Sequence, residues 1–339
     1  MKNVLILIEH RNDRVIRVCR QILSFFSLAS SHTDVFTINA FIYGEKINQN
    51  VYDELSKLGV HQVFSAMDDT LNHYNPEILS PFFSDVIQTL DPQYILFSNT
   101  AIGKDLAPRL AHQFSSEMVS DIIDISIKDG LLRFTRPIYG GKIFEYIQPE
   151  KRVFVTIRAN SFEETNLIRK MNTQINFVHS KKIEKLMYIL KAATQKKESA
   201  QILTEAEVIV CGGGGMKSKK NFEILYELAD LLGASVGASR AAVDGGYISR
   251  SALIGQTGKR VKPKLYLAFG VSGSMQHAAG MSTAGYVVAV NRDPEALIFN
   301  FADFGIVGDL FQVLPLLIKE LKKYKENNDR CINPSSDGF

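Results

Sequence analysis

A few side chains in the C-terminal half stand in settings suited to holding a ligand. Arg240 sits within Gly237-Ala238-Ser239-Arg240-Ala241-Ala242-Val243-Asp244, an otherwise small and apolar run. A cation buried there needs a partner, and two readings are open. It forms a salt bridge, Asp244 being the nearest carboxylate, or it lies against a planar ligand, which an always-ionised guanidinium stacks on well. His277 closes Ser272-Gly273-Ser274-Met275-Gln276-His277 and by itself reads as a core or helix-end histidine. Gln256 and Thr257 lie in the glycine-flanked segment Ile254-Gly255-Gln256-Thr257-Gly258. No paired carboxylates, nucleophile triad or metal-ligand spacing accompanies them. The chemistry these residues suit is binding and electrostatic tuning.

The elements around them are strand, glycine turn and helix, twice over. Val208-Ile209-Val210-Cys211 is an apolar run of strand length that meets Gly212 to Gly215. Phe222, Leu225, Leu228, Ala229 and Leu232 then recur at helical spacing, with Ser218 as the expected N-cap and Gly233 as the stop. Such a turn aims backbone N–H groups at a phosphate or lets helix pack closely on strand, and both readings stand. Lys264 to Phe269 reads as a second buried strand, followed by Gly270-Val271-Ser272-Gly273-Ser274 and a helix start at Met275. Parallel strands would bring both turns to the carboxyl edge of one sheet, where open α/β folds bind ligands.

Taken in order, A-S-R-A-A-V-D at Ala238–Asp244, G-Q-T-G-K at Gly255–Lys259, Ser272–His277 and Asn291-Arg292-Asp293-Pro294-Glu295-Ala296 resemble the electron-transfer flavoprotein alpha subunit. The resemblance extends over most of the chain, and its specific part is the C-terminal half. It implies that FAD is held by Ser239, Arg240, Ile254, Gly255, Gln256, Thr257, Ser272, Gly273, Ser274, Met275, Gln276, His277, Asn291, Asp303 and Phe304. Within that set the resemblance puts Arg240 and the His277 donor at the isoalloxazine ring. Gln256 and Thr257 fall near its redox-active part, Ser272 to Ser274 at the pyrophosphate and ribityl chain, and Asn291 and Asp303 at the adenosine. Phe304 stands where the family more often has tyrosine. Gly214 stands where the family commonly has an arginine that contacts the cofactor, and Lys217 is the nearest replacement cation.

The implied function is that of an electron carrier, not an enzyme in its own right. As the alpha subunit it would form a heterodimer with a beta subunit. It would carry electrons between an acyl-CoA-type or related flavin dehydrogenase and an acceptor, and an electron-bifurcating arrangement is compatible with this. The alternative is a nucleotide-binding module, for NAD or FAD, of a different α/β enzyme, since related folds serve thiamine-dependent and NAD-dependent enzymes.

The totals agree with a globular protein of two domains: 339 residues, 45% hydrophobic and 22% charged. A net charge of +3 gives no reason to expect nucleic acid or an anionic membrane. Cys19, Cys211 and Cys331 are distant from one another, which suits a reducing compartment. Val4 to Ile8 is strand-like with no basic leader before it, and no apolar stretch is long enough to span a bilayer. The expected location is cytoplasmic, without membrane insertion.

The N-terminal part alternates strand-like and helical runs, the pattern of a parallel sheet covered by helices. Thr100-Ala101-Ile102-Gly103-Lys104-Asp105 at a helix start reads as structural rather than as an anion site. Arg136 and Arg158 are expected to pair with carboxylates, and their region has an interface with the partner subunit as its functional alternative. Lys181 to Lys197 reads as a solvated linker helix. The expected organisation is an α/β protein of two mostly parallel sheets. Residues 1–200 form the first domain with partner contacts, 201–326 a doubly wound FAD-binding domain, and 327–339 a flexible tail.

Overall fold

The computed structural model describes residues 2–32, 35–139, 143–164, 171–179 and 203–332. The chain divides into two compact α/β units, Met1–Ala193 and Thr194–Phe339. The expected linker helix over Lys181 to Lys197 lies outside the described residues.

In the first unit β1 (Lys2–Ile8) leads into a short ribbon, β2 (His10–Arg11) and β3 (Arg14–Val15). Strands and helices then alternate: α1 (Arg17–His32), β4 (Phe36–Gly44), α2 (Gln49–Lys57), β5 (Gln62–Met67), α3 (Pro76–Leu90), β6 (Tyr94–Ser98) and α4 (Ala101–Gln113). After β7 (Glu117–Ile122), strands β8 (Asp124–Lys128), β9 (Leu131–Ile138) and β10 (Ile143–Ile147) form a separate antiparallel sheet. With β11 (Val153–Ile157) and β12 (Gln174–Val178), the parallel sheet has seven strands in the order β12-β5-β4-β1-β6-β11-β7.

Strands covered on both faces can be apolar throughout, which is why β1, β6 and β11 read as unbroken hydrophobic runs. Val4, Ile6 and Ile8 pack with Ile22 and Phe26 on one face, and Leu5 and Leu7 pack with Phe83 and Leu106 on the other. The start of α4 is structural, as the sequence suggested. Thr100 Oγ accepts from Gly103 N at 3.1 Å and donates to the Glu9 carboxylate at 2.7 Å. A Cβ on Gly103 would stand 1.9 Å from the Ser98 carbonyl oxygen, so only glycine lets this helix reach the sheet. Arg136 pairs with Glu145 at 2.6 Å, and Arg158 grips both oxygens of Asp121.

The second unit carries the carboxyl-edge turns. Its elements are β13 (Val208–Gly212), α5 (Glu223–Leu232), β14 (Ser235–Ala238), α6 (Arg240–Asp244), β15 (Leu265–Phe269), α7 (Met275–Ala278), β16 (Tyr286–Asn291), β17 (Phe304–Val307) and α8 (Leu310–Ile332). The five strands are parallel, in the order β14-β13-β15-β16-β17. Gly233 ends α5 in the left-handed region at φ +61°, as its position in the sequence suggested.

Two boundaries differ from expectation. Ser218 does not cap α5, because a 3-10 turn at Lys220–Phe222 intervenes and Ser218 Oγ instead accepts from Asn221 N at 3.4 Å. Helix α8 buries Leu310, Leu314 and Ile318 and runs on to Ile332, into the segment expected to be a flexible tail. Residues 326–332 contain neither Gly nor Pro, and the first breaker is Pro334. Among the described residues no helix is long and apolar enough to cross a membrane.

Candidate functional site

The two glycine turns interlock at the carboxyl edge of the second sheet. Gly213 N donates to Phe269 O at 2.9 Å and Gly215 N to Gly270 O at 3.0 Å. A Cβ on Gly213 would meet the Gly270 carbonyl oxygen at 2.0 Å. The first turn therefore spends Gly212, Gly213 and Gly215 and two of its N–H groups on packing, and of the two readings of it, close approach prevails. The second turn is different. The backbone N–H groups of Val271, Ser272, Gly273, Ser274, Met275 and Gln276 donate to no other described residue. Six consecutive donors without a protein acceptor, with Ser272, Met275 and Gln276 exposed, form a face that an oligo-anion could occupy. Gly273 makes the bend with φ +80°, in space where a Cβ would lie 2.2 Å from Ile298 N.

Backbone hydrogen bonds then fasten the other candidate segments to this turn. Ile254 N donates to Ala238 O at 2.9 Å, which sets the 254–258 loop beside Ser239 and Arg240. Gln256 N donates to Gln276 O at 2.7 Å, which sets the same loop against α7. Gly255 has φ +148°, and a Cβ there would meet Gln276 O at 2.9 Å. Arg240 Nη1 reaches Thr257 Oγ1 at 3.4 Å, and its Nε bonds Asp244 at 3.1 Å. Arg240, Thr257 and His277 thus share one region. Arg240 is not the buried cation its neighbours suggested, since its side chain is 65% exposed. The small residues around it leave the guanidinium open instead of covering it.

Three expected residues stand elsewhere or are committed locally. Asn291 closes β16 at the carboxyl edge, but its amide donates to Val271 O at 2.9 Å and its oxygen accepts from Asp293 N at 3.1 Å. It shapes the second turn. Asp303 precedes β17 and accepts from Val287 N at 2.8 Å, near the start of β16. Asp303 and Phe304 therefore lie at the amino edge, separated from Asn291 by the length of β17. The carboxylate that follows β17 at the carboxyl edge is Asp309, just ahead of α8. Gly308 N donates to Asn291 O at 2.9 Å, and Asp309 pairs with Arg292 at 2.5 Å. That guanidinium holds the Asp309 carboxyl below its usual range. Lys217 is exposed, and its ammonium lies 5.9 Å from the centre of the Phe311 ring.

His277 is 4% exposed and its Nε2 lies 2.9 Å from the Tyr266 hydroxyl. Its Nδ1 is buried without a hydrogen-bond partner. Burial pushes the imidazole from 6.5 down to about 4, and a weak approach of the ring to the Ile254 backbone carbonyl, outside hydrogen-bond geometry, opposes this. The folded protein thus holds a neutral ring that the unfolded chain would protonate between those two values. Stability from this site is complete above pH 6.5 and is lost as pH falls toward 4, by about 3 kcal/mol at 1.4 kcal/mol per pH unit. Urea midpoints of the cofactor-free protein should fall over that window, and His277→Gln should flatten the fall.

The donors present fit a flavin dinucleotide: a run of backbone N–H groups for a pyrophosphate, an open guanidinium, and a buried ring nitrogen with no partner in the protein. Comparison with known proteins agrees. Residues 4–206 match the electron transfer flavoprotein domain, and residues 202–282 match the electron transfer flavoprotein FAD-binding domain. The chain is 40% identical over 323 residues to the electron transfer flavoprotein subunit alpha of Bacillus subtilis, covering 95% of this chain and 98% of that one. It is 38% identical to the subunit of the same name from Thermoanaerobacterium thermosaccharolyticum, covering 96% and 99%. For that of Syntrophomonas wolfei the identity is 35%, covering 95% and 100%. The chain belongs to the electron transfer flavoprotein alpha-subunit family, whose C-terminal domain binds FAD.

Proposed function

We propose that this chain is the FAD-carrying subunit of a cytoplasmic two-chain electron carrier. It pairs with a beta subunit and passes electrons from a flavin dehydrogenase, of the acyl-CoA type or a related one, to an acceptor. The bound isoalloxazine supplies the electron chemistry, and the protein's part is to hold it and set its potential. The observation that carries this reading is the meeting of the unpaired N–H run of Val271–Gln276 with Arg240, Thr257 and His277 at one sheet edge.

Each residue then has a task. Ser272, Gly273, Ser274, Met275 and Gln276 would bind the diphosphate and ribityl chain through backbone donors and short hydroxyls. Ser239, Arg240, Ile254, Gly255, Gln256 and Thr257 would orient the ring, with Arg240 favouring negative charge on it. His277 would add a hydrogen-bond donor. Asn291 supports the adenosine end by fixing the second turn, and Asp309 is the carboxylate available there. Asp303 and Phe304 take no part, because they are at the other edge. The family's usual arginine is replaced by Gly214, and Arg240, beside Thr257, is the cation assigned to the ring.

Co-expression with a neighbouring beta-like chain, followed by cofactor extraction and visible spectroscopy, tests this reading. A yellow heterodimer that releases FAD is expected; a colourless protein retaining NAD would overturn it in favour of a nucleotide module of another enzyme. Gly214→Arg offers a second test. A Cβ at 214 meets only the Ala241 methyl at 3.3 Å, so the substitution should cost little stability. It should tighten FAD binding about thirtyfold, the effect of one charged hydrogen bond of about 2 kcal/mol, measured by titration of the cofactor-free heterodimer.

A further inference from the structure

Behind the site lies a buried polar chain that the ligand contacts do not require. Cys211, in β13, lies two residues beyond Ile209, the register partner of Tyr266 on the neighbouring strand β15, with its thiol beside the Tyr266 phenol. The same hydroxyl lies 2.9 Å from His277 Nε2, in α7. The Tyr266 ring is 0% exposed, and the two rings are 6.3 Å apart at 57°. The chain ends at His277 Nδ1, which has no partner. A buried phenol in an otherwise apolar strand needs a partner for its hydroxyl.

The direction of these hydrogen bonds decides what Nδ1 offers. A neutral imidazole has one N–H and one bare nitrogen, and the bond made by one fixes the state of the other. In one arrangement the thiol donates to the Tyr266 oxygen, Tyr266 O–H donates to Nε2, and the proton is on Nδ1. In the reverse arrangement Nε2–H donates to the phenol, the phenol donates to sulfur, and Nδ1 is bare. The first joins the better donor, a phenol, to the better acceptor, an imidazole nitrogen. The second uses phenol O–H on sulfur, a weak acceptor. We propose that Tyr266 is a positioning residue whose hydroxyl holds His277 as the tautomer with its proton on Nδ1, making that nitrogen a dedicated donor to an acceptor atom of the bound flavin. This rests on the flavin site proposed above for its ligand, but the tautomer is a property of the protein alone. Because the ring is kept neutral, it contributes a dipole and leaves Arg240 to supply the charge.

Long-range 1H–15N correlation spectra of the cofactor-free heterodimer, with His277 assigned through His277→Gln, read the tautomer directly. The expected result is Nδ1–H in the wild type. Tyr266→Phe keeps the ring volume and removes the hydroxyl, so the proton should redistribute onto Nε2, FAD dissociation should rise about tenfold for one lost hydrogen bond, and the flavin potential should fall. Cys211→Ala should leave the Nδ1–H tautomer in place, since Tyr266 already donates to Nε2. A wild-type Nε2–H signal overturns the proposal. So does a Tyr266→Phe protein with unchanged tautomer, affinity and potential. If Tyr266→Phe does not fold, the wild-type and Cys211→Ala spectra decide, a switch to Nε2–H in either counting against it. A wild-type protein with the Nδ1–H tautomer that takes up no FAD rejects the flavin site and leaves the Tyr266 assignment standing.

Discussion

Gly213→Ala is expected to destabilise the second unit by about 3 kcal/mol, the upper range for a single overpacked position. The added methyl would stand 2.0 Å from the Gly270 carbonyl oxygen, 2.5 Å from its carbon and 2.5 Å from Val271 Cα. All three are backbone atoms at the turn after β15, so no side-chain rotation relieves the clash. Moving that turn would stretch Gly213 N to Phe269 O and Gly215 N to Gly270 O, both of which bind the two turns together. Close-packed interiors pass such strain to their neighbours, here to the donor run that starts at Val271. Hydrogen exchange followed by mass spectrometry reads the two units separately. Amides of β13 and β15 should lose about a hundredfold in protection, with β1 and β6 unchanged. Gly214→Ala is the control, because its methyl meets only the Ala241 methyl at 3.3 Å. Equal behaviour of the two variants would show that the turns are not interlocked.

What the sequence disclosed, and what it hid, follows from which signals are local. Buried parallel strands announce themselves, since Val208 to Cys211 and Leu265 to Phe269 need no polar face. Helix α5 shows in the spacing of Leu225, Leu228 and Ala229, and its end shows in Gly233. The alternation of elements gave parallel sheets, and parallel strands put the ends of β13 and β15 on one edge. The same edge rule applied to β17 points to Gly308 and Asp309, the residues after the strand. Asp303 and Phe304 were instead placed by their likeness to a family segment, which carries no information about the edge. Exposure was equally hidden. Alanines beside Arg240 suggest a packed interior, yet on a five-residue helix at a sheet edge they leave the side chain 65% exposed. The Tyr266–His277 contact joins residues from two elements and has no signature in spacing. Its one available signal was that a tyrosine within a buried strand must satisfy its hydroxyl.

Arg240→Ala is expected to leave the cofactor-free protein as stable as before and to weaken FAD binding about thirtyfold, while lowering the flavin's midpoint potential. The stability half follows from exposure. The Arg240–Asp244 pair has side chains 65% and 61% exposed, and such helix pairs contribute about 0.3–0.5 kcal/mol. The binding half follows from charge. An ionised donor to a ligand acceptor is worth about 2 kcal/mol, which is about thirtyfold in affinity. The potential should fall because a fixed positive charge beside the ring favours its electron-rich state, and no arginine at position 214 substitutes for it. Arg240→Lys should recover part of the potential but less of the affinity, since an ammonium neither stacks nor presents a planar fork of donors. Titration of the cofactor-free heterodimer with FAD and spectroelectrochemistry separate the two effects, and a urea melt without cofactor supplies the stability. A variant that binds FAD normally at an unchanged potential would remove Arg240 from the site. One that loses stability and affinity together would make it a structural residue whose bonds to Asp244 and Thr257 hold the loop in place.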